Sequence, residues 1–234
     1  LRKRPNWEGD SELVDDLVQS FPYEDTPDQA EVDLSLAEDL YGDRPMDRLI
    51  CGDVGFGKTE LAVRAAFRVV NGGGQVAVLV PTTILAEQHF ATFRERMADF
   101  PVEVEVLSRY VNAAGARSVV ERLAAGSVDI LVGTHRILSK DVQWKNLGMV
   151  IIDEEQRFGV THKEHFKQLR SEVDVLALTA TPIPRTLHMS LAGLRDISAL
   201  TIPPPGRQAI ETILGYGDDE ALISEVRVPQ SYRY

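Results

Sequence analysis

A chain of 234 residues with 44% hydrophobic content can bury a substantial core, and its length suits one large domain or one and a half. Its formal charge of −11 argues against a protein that grips nucleic acid mainly through a basic surface, and its one cysteine, Cys51, excludes an internal disulfide. No apolar run approaches the roughly 18 residues of a membrane span and no signal-peptide pattern opens the sequence, so a cytoplasmic location is expected.

Residues 1–20 are expected to form a separate N-terminal helical linker segment. Arg2-Lys3-Arg4 makes a short basic cluster before Pro5. Leu13, Val14, Leu17, Val18 and Phe21 then recur at helical spacing, which predicts a helix that packs on the main domain or on one upstream, and that ends by Pro22. Thr26-Pro27-Asp28-Gln29 opens a second helix with Val32, Leu36 and Leu40 on one face. Thr26 as N-cap, Pro27 in the first helical position and Gln29 three residues on form a capping box.

The run Arg48–Cys51 reads as a strand, which makes Cys51 a buried, inert thiol. It leads into Gly52-Asp53-Val54-Gly55-Phe56-Gly57-Lys58-Thr59, which fits G-x-x-x-x-G-K-[ST] with a helical pattern from Glu60 onward. In that strand–loop–helix setting glycines let the backbone curl its N–H groups toward phosphate oxygens. The helix N-terminus adds partial positive charge at the same point. Lys58 is expected on the β- and γ-phosphates and the Thr59 hydroxyl on Mg²⁺.

Beyond Lys58, helical stretches near 58–70, 82–98, 113–125, 161–170 and 185–194 alternate with apolar, β-branched runs at 75–81, 102–107, 129–133, 149–153, 173–179 and 209–214. This predicts an α/β fold, a mostly parallel central sheet covered by helices on both faces. In such sheets ligands sit at the carboxyl ends of the strands. One strand ends in Asp153-Glu154-Glu155-Gln156. Asp153 suits a Mg²⁺ ligand acting through water, and Glu154 can orient and deprotonate an attacking water. Others end in Thr179-Ala180-Thr181, Gly133-Thr134-His135-Arg136 and Pro81-Thr82-Thr83. Small and hydroxyl residues there can meet phosphate oxygens, although each also suits a cap or a turn. A histidine such as His135 is more often packed or on the surface than a ligand. The sequence holds no Cys/His cluster with zinc spacing.

The order of these segments resembles the first, RecA-like motor lobe of superfamily 2 helicases and translocases over residues 21–214, with 215–234 as a tail toward a second lobe. Thr26–Gln29 is similar to the adenine-reading Q motif, Gly52–Thr59 to motif I and Pro81–His89 to motif Ia. Gly133–Arg136 is similar to motif Ic, Asp153–Gln156 to motif II and Thr179–Thr181 to motif III. Arg157-Phe158-Gly159 and Thr181-Pro182-Ile183-Pro184-Arg185-Thr186 are shared by the transcription-repair coupling factor family and the RecG branched-DNA helicase family. The stretches 21–29 and 51–60 look closer to the former, while Pro205-Gly206-Arg207 resembles the latter.

The resemblance implies ATP and Mg²⁺ as cofactors. It puts Gln29 on the adenine, with Phe21 or Tyr23 against the ring, or else Gln29 only as a capping partner. Residues Gly52 to Glu60 would surround the phosphates, and Asp153, Glu154 and Lys58 would serve metal, water and phosphate. Thr82, Arg109, Thr134, His135, Arg136, Thr179 and Thr181 would face the backbone of double-stranded DNA. Gln156, where many relatives carry His, would couple nucleotide to motif III, and Arg185 would bridge the two sites or form a structural ion pair. Implied partners are a second motor lobe, RNA polymerase and the excision-repair damage sensor UvrA, the last two through segments beyond this chain. The opening Leu and the abrupt end fit an excised piece. No Q-x-x-G-R-x-G-R run follows Thr181, so slow hydrolysis is expected without an arginine finger. A RecG-type remodeller of forked DNA and a nucleotide-switched protein-binding module are the alternatives.

Overall fold

The computed structural model describes residues 7–158, 173–181 and 195–205. The helices expected at 161–170 and 185–194, the strand at 209–214, the tail, Gly159 and Arg185 lie outside the described residues.

α1 (Ser11–Gln19) is capped by the Asp10 side chain, which accepts from the Glu12 N–H. α2 (Pro27–Tyr41) opens on the expected capping box, with both the Thr26 and Gln29 side chains engaged. Then β1 (Asp47–Gly52) runs into α3 (Lys58–Asn71), β2 (Gln75–Leu79) into α4 (Thr83–Arg96), and β3 (Val104–Leu107) into α5 (Ala113–Ala125). β4 (Ile130–Gly133), β5 (Leu147–Asp153), β6 (Asp174–Thr179) and β7 (Asp196–Leu200) follow, with short 3₁₀ turns at His135–Leu138 and Glu155–Arg157.

The strands form one parallel sheet in the order β3-β4-β2-β5-β6-β1-β7. Side chains alternate between its faces, as the period of two requires. Ile50, Val76, Val78, Val132, Ile151, Leu176 and Leu178 point to one core, which α1 to α4 cover. Leu49, Ala77, Leu131, Val150, Ile152, Val175 and Ala177 point to the other, which contains Val119 and Leu123 of α5. A sheet so covered on both faces is the three-layer α/β architecture that the alternating pattern anticipates, and it matches the RecA-like fold that the resemblance implies. No helix among the described residues is long and apolar enough to cross a membrane.

The boundary expected after residue 20 is not a boundary in the packing. The compact unit runs from Leu1 to Pro204. Val14 and Leu17 of α1 are buried, and α1 packs on α3. Trp7 is 3% exposed, and its indole N–H donates to the fully buried Asp174 at 2.7 Å. The other oxygen of Asp174 accepts the Met46 N–H at 2.6 Å. Gly74 and Gly148 leave the room that the Trp7 ring fills, since a Cβ on either would collide with it. The segment is an inner part of this lobe, because its large apolar side chains found a face of α3 and the sheet to bury against.

Candidate functional site

Strand order decides what the loops can do together. β6 lies between β5 and β1. In register, Cys51 sits beside Thr179, and Leu178 beside Asp153. The loop after β1 and the acidic turn after β5 therefore leave the same edge, about 10 Å apart at ordinary strand spacing.

The loop itself is a cradle. Gly55 and Gly57 take left-handed backbone angles, φ 82° and 80°. Gly57 is the N-cap of α3 and has no side chain to offer, so no side-chain cap closes the first turn of that helix. The N–H groups and the positive end of the dipole are left for an anion. Phe56 is 7% exposed and packs into the core, while Val54 is 73% exposed. Lys58 Nζ folds back into the loop and donates to the carbonyls of Gly52 at 2.5 Å and Asp53 at 2.9 Å. Burial pulls the Lys58 ammonium below the usual lysine range, while the charges of Asp153, Glu154 and Asp53 pull the other way. The lysine thus feels the acid pair from two strands away.

Motif II is tied to motif III by hydrogen bonds. Glu154 is the sole non-glycine with positive φ among the described residues, at φ 53°, ψ 49°. Such a conformation costs of order 1–3 kcal/mol and is held by its surroundings. Here the Glu154 N–H donates to the Leu178 carbonyl at 3.0 Å, and its carboxylate accepts from the Ala180 N–H at 3.3 Å and from the Gln156 side-chain amide. The Thr179 hydroxyl donates to Gln156 Oε1 at 3.5 Å and accepts from the Thr181 N–H at 3.1 Å. Gln156 therefore stands between the Glu154 carboxylate and the Thr179 hydroxyl.

Several expected roles change. Thr179 is 7% exposed and turned into this network, whereas Thr181 is exposed. The Glu60 carboxylate accepts from Arg64 Nε at 3.0 Å and from Arg96 Nη2 at 2.8 Å, an ion cluster rather than a phosphate contact. Phe21 carries the guanidinium groups of Arg64 and Arg96, each 5.4 Å from its ring centroid. Tyr23, edge-on to Phe21 at 5.4 Å and 70% exposed, is the open aromatic surface of that segment. Gln29 is 5% exposed; its Oε1 accepts from the Thr26 N–H at 2.7 Å and its Nε2 donates to the Phe56 carbonyl at 2.9 Å. The capping partner is thus also a strut under the phosphate loop.

The remaining strand ends gather on the other half of the same edge, since β3, β4 and β2 adjoin in that order and Gly133 pairs with both Leu79 and Leu107. Thr82, Arg109 and His135 are exposed there and Thr134 is half-buried. Arg109 lies against the Tyr110 ring at 5.5 Å. Arg136 is paired through both terminal nitrogens with Asp141, at 2.8 and 2.5 Å, and that contact holds the Asp141 carboxyl below the usual carboxylate range. Any phosphate reaching Arg136 must displace this carboxylate.

One residue to which the motifs assign no role enters the site. His89, buried on α4 beside Ala86 and Phe93, sits 2.9 Å from Asp153 Oδ2 through Nε2. Its signals in the sequence are its place at the end of Pro81–His89 and a histidine on an otherwise apolar helix face.

No group of three or more Asp, Glu, His or Cys side chains among the described residues could cage a metal. A phosphate cradle on the end of one strand and an acid pair two strands away define a nucleoside-triphosphate-binding lobe. The chain belongs to the DEAD/DEAH box helicase family, whose pattern matches residues 26–190.

Among curated proteins the chain is 55% identical over 212 residues to the transcription-repair-coupling factor of Mycobacterium tuberculosis (91% of this chain, 17% of that protein). It is 54% identical over 203 residues to that of Bacillus subtilis (87% and 17%) and 59% over 192 residues to that of Staphylococcus aureus (82% and 16%). The chain thus spans 16–17% of the length of these relatives. Among solved structures it is similar to RecG bound to a three-way DNA junction, with TM-score 0.77 and 33% identity over 89% of this chain and 28% of that one.

Proposed function

We propose that the chain is the ATP-binding first motor lobe of a double-stranded DNA translocase of the transcription-repair-coupling kind. The observation that carries this is that the loop bearing Lys58 and the turn bearing Asp153 and Glu154 leave the ends of the two strands that flank β6. The identity of 54–59% to the coupling factors, against 33% to RecG, favours that kind over a branched-DNA remodeller.

In this reading the N–H groups of the loop and Lys58 hold the β- and γ-phosphates, and Lys58 exchanges its bonds to Gly52 and Asp53 for phosphate oxygens. Bound Mg²⁺ would neutralise developing charge on those oxygens; Thr59 and Asp153 are the residues that would hold it. Glu154, fixed by Ala180 and Gln156, orients the attacking water and takes its proton. The adenine lies against Gln29 and Tyr23. DNA meets Thr82, Arg109, Thr134, Arg136 and Thr181, and the Thr179–Gln156–Glu154 chain connects that face to the acid pair. In the longer proteins a second lobe completes the motor, and RNA polymerase and the damage sensor are met by other segments.

The test uses the full-length motor. Replacing both Thr134 and Arg136 by Ala is expected to cut DNA-stimulated ATP hydrolysis about tenfold or more, while leaving the DNA-free rate unchanged. Unchanged stimulation would remove the DNA face from these strand ends. A preference for forked over linear duplex, with no displacement of a stalled polymerase, would favour the RecG-like reading instead.

A further inference from the structure

We propose that His89 is a positioning residue, which sets the orientation of the Asp153 carboxylate for the magnesium ion of a bound nucleotide. His89 stands two turns into α4, on the face that also buries Ala86 and Phe93, and is itself 6% exposed. Its Nε2 lies 2.9 Å from Asp153 Oδ2. Its Nδ1 is buried with no hydrogen-bond partner.

That pattern favours one tautomer of the neutral ring. A neutral imidazole keeps one N–H. A protonated Nδ1 would leave a buried donor unpaired beside the Phe93 ring, so the proton belongs on Nε2 and is donated to the carboxylate. It also makes His89 an odd choice for packing alone. An aliphatic side chain would fill the same space and leave no buried nitrogen without a partner. The bond to Asp153 is what this histidine gains.

Among the described residues, His89 is the one hydrogen-bond partner of the Asp153 carboxylate. It occupies Oδ2, which leaves Oδ1 without a protein partner among the described residues. Carboxylates that hold metal ions depend on such outer bonds, and losing one typically weakens metal affinity about 10–100-fold. α4 is capped by Thr82, one of the residues assigned to the DNA face, so the same helix joins that face to the metal carboxylate.

This inference rests on the nucleotide reading above, and the experiment separates the two. A fluorescent ADP is titrated into the chain with saturating Mg²⁺ and again with EDTA, for the parent, His89→Leu and His89→Gln. The parent is expected to bind more tightly with Mg²⁺. His89→Leu should keep the EDTA affinity and lose the magnesium gain about tenfold, and His89→Gln, whose amide restores an N–H donor at similar reach, should recover most of it. If His89→Leu does not fold, His89→Asn, whose amide is too short to reach Oδ2, takes its place with the same expected loss. A magnesium gain in the Leu or Asn variant within about twofold of the parent overturns the role of His89 alone. So does an equal loss with and without Mg²⁺ that Gln fails to rescue. A parent that binds ADP in neither condition overturns the nucleotide reading as well.

Discussion

Gly57 shows how a single missing side chain serves several ends. Its φ of 80° is one that L-residues adopt at a cost of about 1–2 kcal/mol, and a Cβ there would collide with Gln29 Nε2. The same absence leaves α3 without a side-chain cap, so its amides remain available to phosphate. Gly57→Ala is therefore expected to lower stability by at least about 1–2 kcal/mol in urea unfolding and to weaken ADP binding more than tenfold, because Gln29 can no longer brace the Phe56 carbonyl. Binding within twofold of the parent would show that the brace is dispensable. The identity of these loop residues is plain from the sequence, since G-x-x-x-x-G-K-[ST] between a strand and a helix has one good use. The tasks of Glu60, Phe21 and Thr179 are not, since their partners (Arg96 from α4, Arg64 from α3, Gln156 from the turn after β5) come from elsewhere in the chain and no local spacing announces them.

Elements are bound to one another here by charges as well as by apolar faces. Arg64 is 1% exposed and satisfied by Asp25 on both terminal nitrogens, at 2.7 and 3.0 Å, and by Glu60. Arg96 reaches from α4 to Glu60, to the Ser20 hydroxyl and to the Leu17 carbonyl. A bonded set like this aligns α1, α3 and α4 around Phe21, whereas losing a single member would leave a buried charge without its partner. At the start of α2, Asp28 Oδ2 accepts the N–H groups of Thr201 and Ile202 at 2.6 and 2.8 Å, which ties the capping segment to the chain just after β7. Partial burial pushes the Asp28 carboxyl up, but hydrogen bonds from Thr26, Ile202, Thr201 and Gln29 outweigh it and hold the group below its ordinary 3.8. A carboxyl lowered on folding stabilises the protein above its unfolded value and loses that contribution as pH falls through the folded one. Asp28→Asn is thus expected to melt below the parent at pH 7, with the gap closing as pH drops below 3.8; a gap that persists unchanged in acid would rule out the carboxylate as its source. β7 itself carries little signal in the sequence. It is an edge strand, Asp-Ile-Ser-Ala-Leu, with only Ser198 and Leu200 buried, so its weak alternation did not stand out.

Across the whole molecule the strand order matters more than any one contact. Placing β6 between β1 and β5 brings loops about a hundred residues apart in sequence onto one edge, and β3-β4-β2 sets the remaining strand ends beside them. The alternation of strands and helices makes a parallel, doubly covered sheet legible from sequence, but order within the sheet depends on long-range pairing that local pattern does not encode. The same limit applies to residues 7–20, whose helix is evident while its docking on α3, with Trp7 reaching Asp174, is not. The claim on which all of this turns is that the loop and the acid pair act on one ligand. Isothermal titration of ADP with and without Mg²⁺, into the parent, Lys58→Ala and Asp153→Asn, tests it most directly. Lys58→Ala should abolish binding in both conditions, and Asp153→Asn should keep the magnesium-free affinity while losing the gain that Mg²⁺ brings. An Asp153→Asn chain that retains the full magnesium gain would contradict the account.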